Sequence, residues 1–253
     1  MDLSLWMVVL LVGTGIVAGV INTLAGGGTN LTLPALMVMG LPADVANATN
    51  RVGVLMQCIS GVSGFWRKGK LPVESAPPIL VPTLIGGAFG AALASYLPEQ
   101  WLKPTLLGSM IAMSLLIVLR PGTVVVEPGT EPRNLNESRK AWWTLVLAGF
   151  YGGFVQAGVG FILLAAIAGG LRYDLVRANA LKMLCAGVFT LLALGIFIAR
   201  DQVAWVPGIV LAVGAVIGAQ LGVKVAISIS PKAMKWILLA LTIVASGFAL
   251  VSG

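Results

Sequence analysis

Apolar residues run along this chain in stretches long enough to cross a bilayer, with short polar punctuation between them. A hydrocarbon core about 30 Å thick takes about 20 apolar residues per helical crossing. The pattern predicts eight helical spans, near 4–24, 45–66, 79–97, 103–119, 142–168, 178–199, 205–223 and 234–251. The expected fold class is an all-α polytopic membrane protein with broken or re-entrant helices. The first stretch begins with Asp2 rather than a basic residue, and no small-x-small cleavage site follows it. It is expected to be a retained helix, not a signal peptide.

Two interruptions break the pattern. In AGGGTNLTLP (25–34), Gly26, Gly27 and Gly28 stand in a row, and three glycines weaken a helix by roughly 2–3 kcal/mol relative to alanine. Unwound backbone survives in hydrocarbon only where protein or a watery cavity covers it, so the break is expected to face the interior. Residues 29–40 are too few to span and read as a half-helix, after which Pro42 and Asp44 open a new one. The counterpart is 155–174, with Gly158 and Gly160 at the break and Asp174 as an N-cap. The unpaired N–H groups of such half-helices suit an anion.

The two interruptions belong to a longer correspondence. A shift of 130 residues aligns Thr14, Gly28, Gly40 and Asp44 with Thr144, Gly158, Gly170 and Asp174. Gly86 and Gly90 in GGAFGAAL correspond to Gly214 and Gly218 in VGAVIGAQL, each pair spaced for close helix packing. The reading is an N-terminal repeat over 1–119, a polar linker over 120–141 and a C-terminal repeat over 142–253. Secondary transporters carry such duplications, with the substrate site between repeats.

Arg51 and Lys182 then stand out. They follow Asp44 and Asp174 by seven and eight residues, which is about 10–12 Å into a helix. A cation at such depth usually faces a cavity or a partner. Asn22, Thr29, Asn30, Thr49, Asn50, Gln57, Gln156 and Asn179 supply neutral donors that can gather around a small oxyanion with the amides near Gly28 and Gly158. The alternative is that Arg51 and Lys182 snorkel, or pair with Asp44 and Asp174, for structure alone.

Composition and charge narrow the chemistry. Of 253 residues 58% are hydrophobic and 10% charged, which removes the soluble classes. The net charge of +7 sits mostly at span ends, as in WRKGKL (66–71), SRKAW (138–142) and ISPKAMKW (229–236), and marks membrane anchoring rather than nucleic-acid binding. Eight spans put both termini in the cytoplasm. The chain has no histidine, so His-based metal sites and serine–histidine catalysis are not expected, and proton coupling falls to Asp44 and Asp174. GGGTN lacks the phosphate-loop and dinucleotide patterns, so no nucleotide cofactor is expected. Cys58 and Cys185 lie in apolar spans and read as packing.

The stretch GGGTNLTLPALMVMGLPADVANATNR with WRKGKL, and GFYGGFVQAGVGF, ANALK and GAVIGAQLG in the second half, resemble the sulfite exporter TauE/SafE family of bacterial membrane proteins. The resemblance implies transport of small sulfur-containing or organic anions across the inner membrane. The second half departs from the pattern, with Gln156-Ala157-Gly158 for a glycine run and Leu164 for a proline, so the half-sites are not expected to be equivalent. The expectation is a non-enzymatic secondary transporter, multi-pass in the bacterial inner membrane, whose partners are a small anion and the lipid bilayer. Self-association is left open. A passive anion channel and a non-transporting membrane scaffold are the competing readings.

Overall fold

The computed structural model describes residues 4–119 and 130–229. The last expected span, 234–251, and residues 120–129 of the polar linker lie outside the described residues, as do Asp2, Lys232 and Lys235. The chain is an all-α polytopic membrane protein. Among the described residues its α-helices are α1 (Leu5–Leu24), α2 (Thr29–Val38), α3 (Ala43–Arg67), α4 (Ala76–Tyr96), α5 (Glu99–Leu119), α6 (Arg139–Phe154), α7 (Val159–Leu164), α8 (Leu175–Ala199) and α9 (Trp205–Ser228). Among the described residues, four segments are long and apolar enough to cross a membrane: Leu5–Leu24, Val73–Tyr96, Leu175–Ala199 and Trp205–Ser228. α3 has the length, at 25 residues, but buries Asn47, Asn50, Arg51 and Gln57 within it.

Both interruptions are present. α1 stops at the triglycine, where Gly26 adopts φ +100°, and α2 restarts at Thr29 for 10 residues, about 15 Å or half a hydrocarbon core. Gly26, Gly27 and Gly28 are all buried, as interior-facing irregular backbone requires. α6 stops at Phe154, so the stretch 142–168 is two pieces rather than one span. Gln156 and Gly158 both take positive φ there, and α7 runs on into a π-helical segment, Ala165–Gly170. α3 and α8 follow. Pro42 is the N-cap of α3, with Asp44 in its first turn, whereas the Asp174 side chain accepts the Val176 and Arg177 N–H groups at 3.0 Å as the N-cap of α8.

The small-residue motifs decide which helices pair. A methyl group on Gly214 or Gly218 of α9 would fall 2.2 Å from Val12 O or 2.1 Å from Ile16 O of α1. Gly15 and Gly19 answer from α1, with Leu211 O and Ala215 O each 2.6 Å from the place of a Cβ. Likewise Gly86 and Gly90 of α4 lie against Val146 O and Phe150 O of α6, and Gly149 and Gly153 of α6 against Thr83 O and Gly87 O of α4. Contacts advance in the same direction along both members of each pair, so α1 runs parallel to α9 and α4 to α6. Each close pair joins a helix before the polar linker to one after it. α3 packs on α9, and α8 packs about equally on α4 and on α3, so the groups α1/α3/α9 and α4/α6/α8 are joined by a close α3–α8 contact.

Candidate functional site

The two breaks touch. A Cβ on Gly26 would lie 2.2 Å from Gly160 Cα, and one on Gly160 would lie 2.3 Å from Gly26 Cα, so the interrupted segments cross with backbone against backbone. Beside the crossing is a cavity of about 30 Å³. That is room for roughly two water molecules. Its polar lining is Asn22, Thr29, Gln57, Gln156 and Lys182, with Cys58 beside them. Among the described residues, no carboxylate lines it.

Each polar group is held by the fold. Asn22, in the last turn of α1, accepts the Gly28 N–H at 2.7 Å and donates to Gln57 Oε1 at 3.1 Å, so the first amide of the half-helix is already satisfied by a side chain. A second chain of bonds runs from Thr32 to Asn50 (2.6 Å), from Asn50 to Gln156 Oε1 (3.5 Å), and from Gln156 Nε2 to Thr190 (2.7 Å). It ties α2, α3, the second break and α8 together. Thr190 escaped the sequence reading because a lone threonine in VFTLLAL carries no spacing signal.

The cations have specific partners, and neither is an aspartate. Lys182 Nζ donates to Asn22 O (2.8 Å), Thr23 O (3.0 Å) and Asn179 Oδ1 (2.6 Å). An ammonium has three donors, and all are in use. Arg51 donates to Gly152 O (2.5 Å) through Nη1, and to Gly153 O (2.9 Å), Phe154 O (3.3 Å) and Asn47 Oδ1 (3.3 Å) through Nη2, with Phe197 5.6 Å from its guanidinium carbon. Each cation thus caps the carbonyl end of an interrupted helix that lies across the polar linker from it: Arg51 of α3 caps α6, and Lys182 of α8 caps α1. An interrupted helix leaves its last carbonyls unpaired and its dipole negative there, which a buried cation offsets.

Both are buried, Arg51 at 0% exposure and Lys182 at 2%, so neither snorkels to the headgroups. Nor does either pair with an aspartate. Asp174 is exposed, caps α8 and pairs with Arg177 at 3.4 Å, while Asp44 Oδ2 accepts from Gln202 at 3.5 Å. Neither aspartate lines the cavity.

The remaining candidates divide. Asn22, Thr29, Gln57, Gln156 and Lys182 gather at the cavity; Asn50 and Asn179 stand one bond behind it. Asn30 is buried in the first turn of α2. Thr49 accepts the Ala204 N–H at 2.9 Å at the start of α9, away from the cavity lining. Gly28 and Gly158 flank the breaks as N-caps of α2 and α7.

A family model described as sulfite exporter TauE/SafE matches residues 11–249 of this chain. The chain belongs to the TauE/SafE family. Among proteins similar to it is a "probable membrane transporter protein" of Haemophilus influenzae, 29% identical over 226 residues, covering 88% of this chain and 87% of that one. A "probable membrane transporter protein ORF9" of Sinorhizobium sp is 27% identical over 243 residues, covering 96% and 92%. The "probable membrane transporter protein YfcA" of Escherichia coli K12 is 28% identical over 220 residues, covering 86% and 80%. This TauE/SafE chain is therefore a multi-pass membrane protein from a family of membrane transporters, and its relatives are named as transporters rather than enzymes.

Proposed function

We propose that this chain is a secondary transporter that carries a small oxyanion, of the sulfite or sulfonate class, across the bacterial inner membrane by alternating access. The observation that carries the reading is the cavity at the crossing of the breaks. It holds a lysine, three carboxamides and a hydroxyl, with no carboxylate among its described lining residues. An electropositive site rich in neutral donors favours an anion that accepts several hydrogen bonds. The halves 1–119 and 142–253, joined by the linker 120–141, are read as a duplication, in keeping with a site between repeats.

The bodies that move are proposed to be the bundles α1/α3/α9 and α4/α6/α8, not the sequence halves. Close carbonyl-to-glycine packing holds α1 against α9 and α4 against α6, so each pair is proposed to move as a unit. Motion concentrates where the bundles meet, at α3 against α8 and at the two capped helix ends.

Purified protein in proteoliposomes tests this with sulfite, thiosulfate, methanesulfonate and sulfoacetate. Saturable flux and counterflow are expected for at least one of them. Unitary current steps would instead identify a channel. No flux, together with no thermal stabilisation by any of the four, would leave a scaffold.

A further inference from the structure

We propose that the carboxamides of Gln57 and Gln156 grip the transported anion and set its specificity, while Lys182 supplies charge without a hydrogen bond. This rests on the transporter reading above. Three independent observations lead to it.

The ammonium of Lys182 has already given its three N–H groups to Asn22 O, Thr23 O and Asn179 Oδ1. Taking one away would leave a helix-end carbonyl or a buried amide oxygen unpaired, so the lysine is a poor direct ligand. Arg51 does not line the cavity at all. Direct contact therefore falls to neutral donors.

Gln57 supplies one. It is 3% exposed, its Oε1 is occupied by Asn22, and its Nε2 has no hydrogen-bond partner among the described residues although the side chain lines the cavity. A buried carboxamide with an idle NH₂ is a donor waiting for an acceptor.

Gln156 supplies the other, and its backbone marks it. The chain takes positive φ at both breaks, through Gly26 at +100° in one and Gln156 at +69° in the other. A glutamine in the left-handed region carries a steric penalty that glycine avoids, and such strain persists where the side chain has work to do. Its Nε2 gives one hydrogen to Thr190 at 2.7 Å, which leaves a second, and the residue lines the same cavity.

The two amides come from α3 and from the α6–α7 break, on opposite bundles, so an anion bound to both also bridges the bodies proposed to move. Two separated N–H donors suit two oxygens of one head group and give little advantage to a spherical halide.

Flux of the best-transported oxyanion of the panel tests this in Gln57→Met, Gln156→Gly and Gln156→Asn. Asparagine keeps a shortened amide and tolerates left-handed backbone, so it remains usable if the glycine variant loses its fold. The expected result is a KM raised about tenfold or more by Gln57→Met and Gln156→Gly, less by Gln156→Asn, in variants that still melt cooperatively although below wild type, because Asn22 or Asn50 and Thr190 lose a partner. Chloride should compete weakly in wild type. Saturable wild-type flux with unchanged KM in folded Gln57→Met and Gln156→Asn overturns the inference and leaves the transporter reading standing. Absence of wild-type flux for every anion of the panel overturns both.

Discussion

Gly26 and Gly160 meet with no side chain between them, each Cα within 2.3 Å of where the other's Cβ would stand. The contact fixes how two interrupted helices cross, and the cavity exists beside it because neither residue fills the space. Gly26 also needs its positive φ, at +100°. Alanine there meets both a collision and left-handed strain, together about 2–5 kcal/mol. Gly26→Ala and Gly160→Ala are expected to lower the thermal midpoint sharply in detergent. Gly40→Ala, at φ +90° in open space, carries only the strain and should change it modestly.

Removing a capping cation should cost stability before it costs chemistry. Lys182→Met strands the Asn22 and Thr23 carbonyls and Arg51→Met strands those of Gly152, Gly153 and Phe154, in each case by about 2–4 kcal/mol. Denaturant titration of the purified variants checks this. A stability equal to wild type in both would show that the carbonyl ends find other partners.

The helix pairs make opposite predictions for glycines that look alike in sequence. Gly19→Ala and Gly153→Ala push a methyl into a backbone carbonyl and are expected to destabilise by about 1–3 kcal/mol or more. Gly13 and Gly195, also inside helices, have nothing within 4 Å, and alanine there should stabilise by up to about 1 kcal/mol. Thermal melts of the four single variants separate the classes.

Motion between the bundles has a built-in probe. A Cβ on Gly187 of α8 would lie 3.1 Å from Cys58 Cβ of α3, slightly inside the spacing of a disulfide, about 3.5–4.5 Å. With Cys185→Ser to keep a single pairing, Gly187→Cys is expected to cross-link to Cys58 on oxidation and to arrest transport, with recovery on reduction. Undiminished flux in the fully cross-linked protein would exclude α3 and α8 as the moving boundary.

Asp174→Ala tests the carboxylate offered for proton coupling. The residue is exposed and caps α8, so the expected loss is about 1 kcal/mol of stability with flux and its pH dependence unchanged. Proteoliposome flux across a pH series reads the difference.

Much of this was legible in the residues because it is local. A triglycine weakens a helix wherever it stands, a stretch of about twenty apolar residues reads as a span, and a cation seven or eight residues into such a span must find cover. These considerations located both breaks, Arg51, Lys182 and the small-residue motifs without reference to a fold. The resemblance to the family added that the two half-sites differ, since Gln156-Ala157-Gly158 replaces a glycine run and Leu164 a proline.

Partnership was not local, and only the tertiary structure decided it. Between helices in lipid the tails are as apolar as leucine, so pairing follows backbone shape rather than hydrophobic pattern. That is why α1 lies against α9 and α4 against α6, across the polar linker, when sequence order favours neighbours. The same geometry carries Arg51 to the end of α6 and Lys182 to the end of α1, away from the aspartates on their own helices. It also leaves Lys182 at the cavity and Arg51 outside it, because only one of the two capped ends opens onto the space beside the glycine crossing.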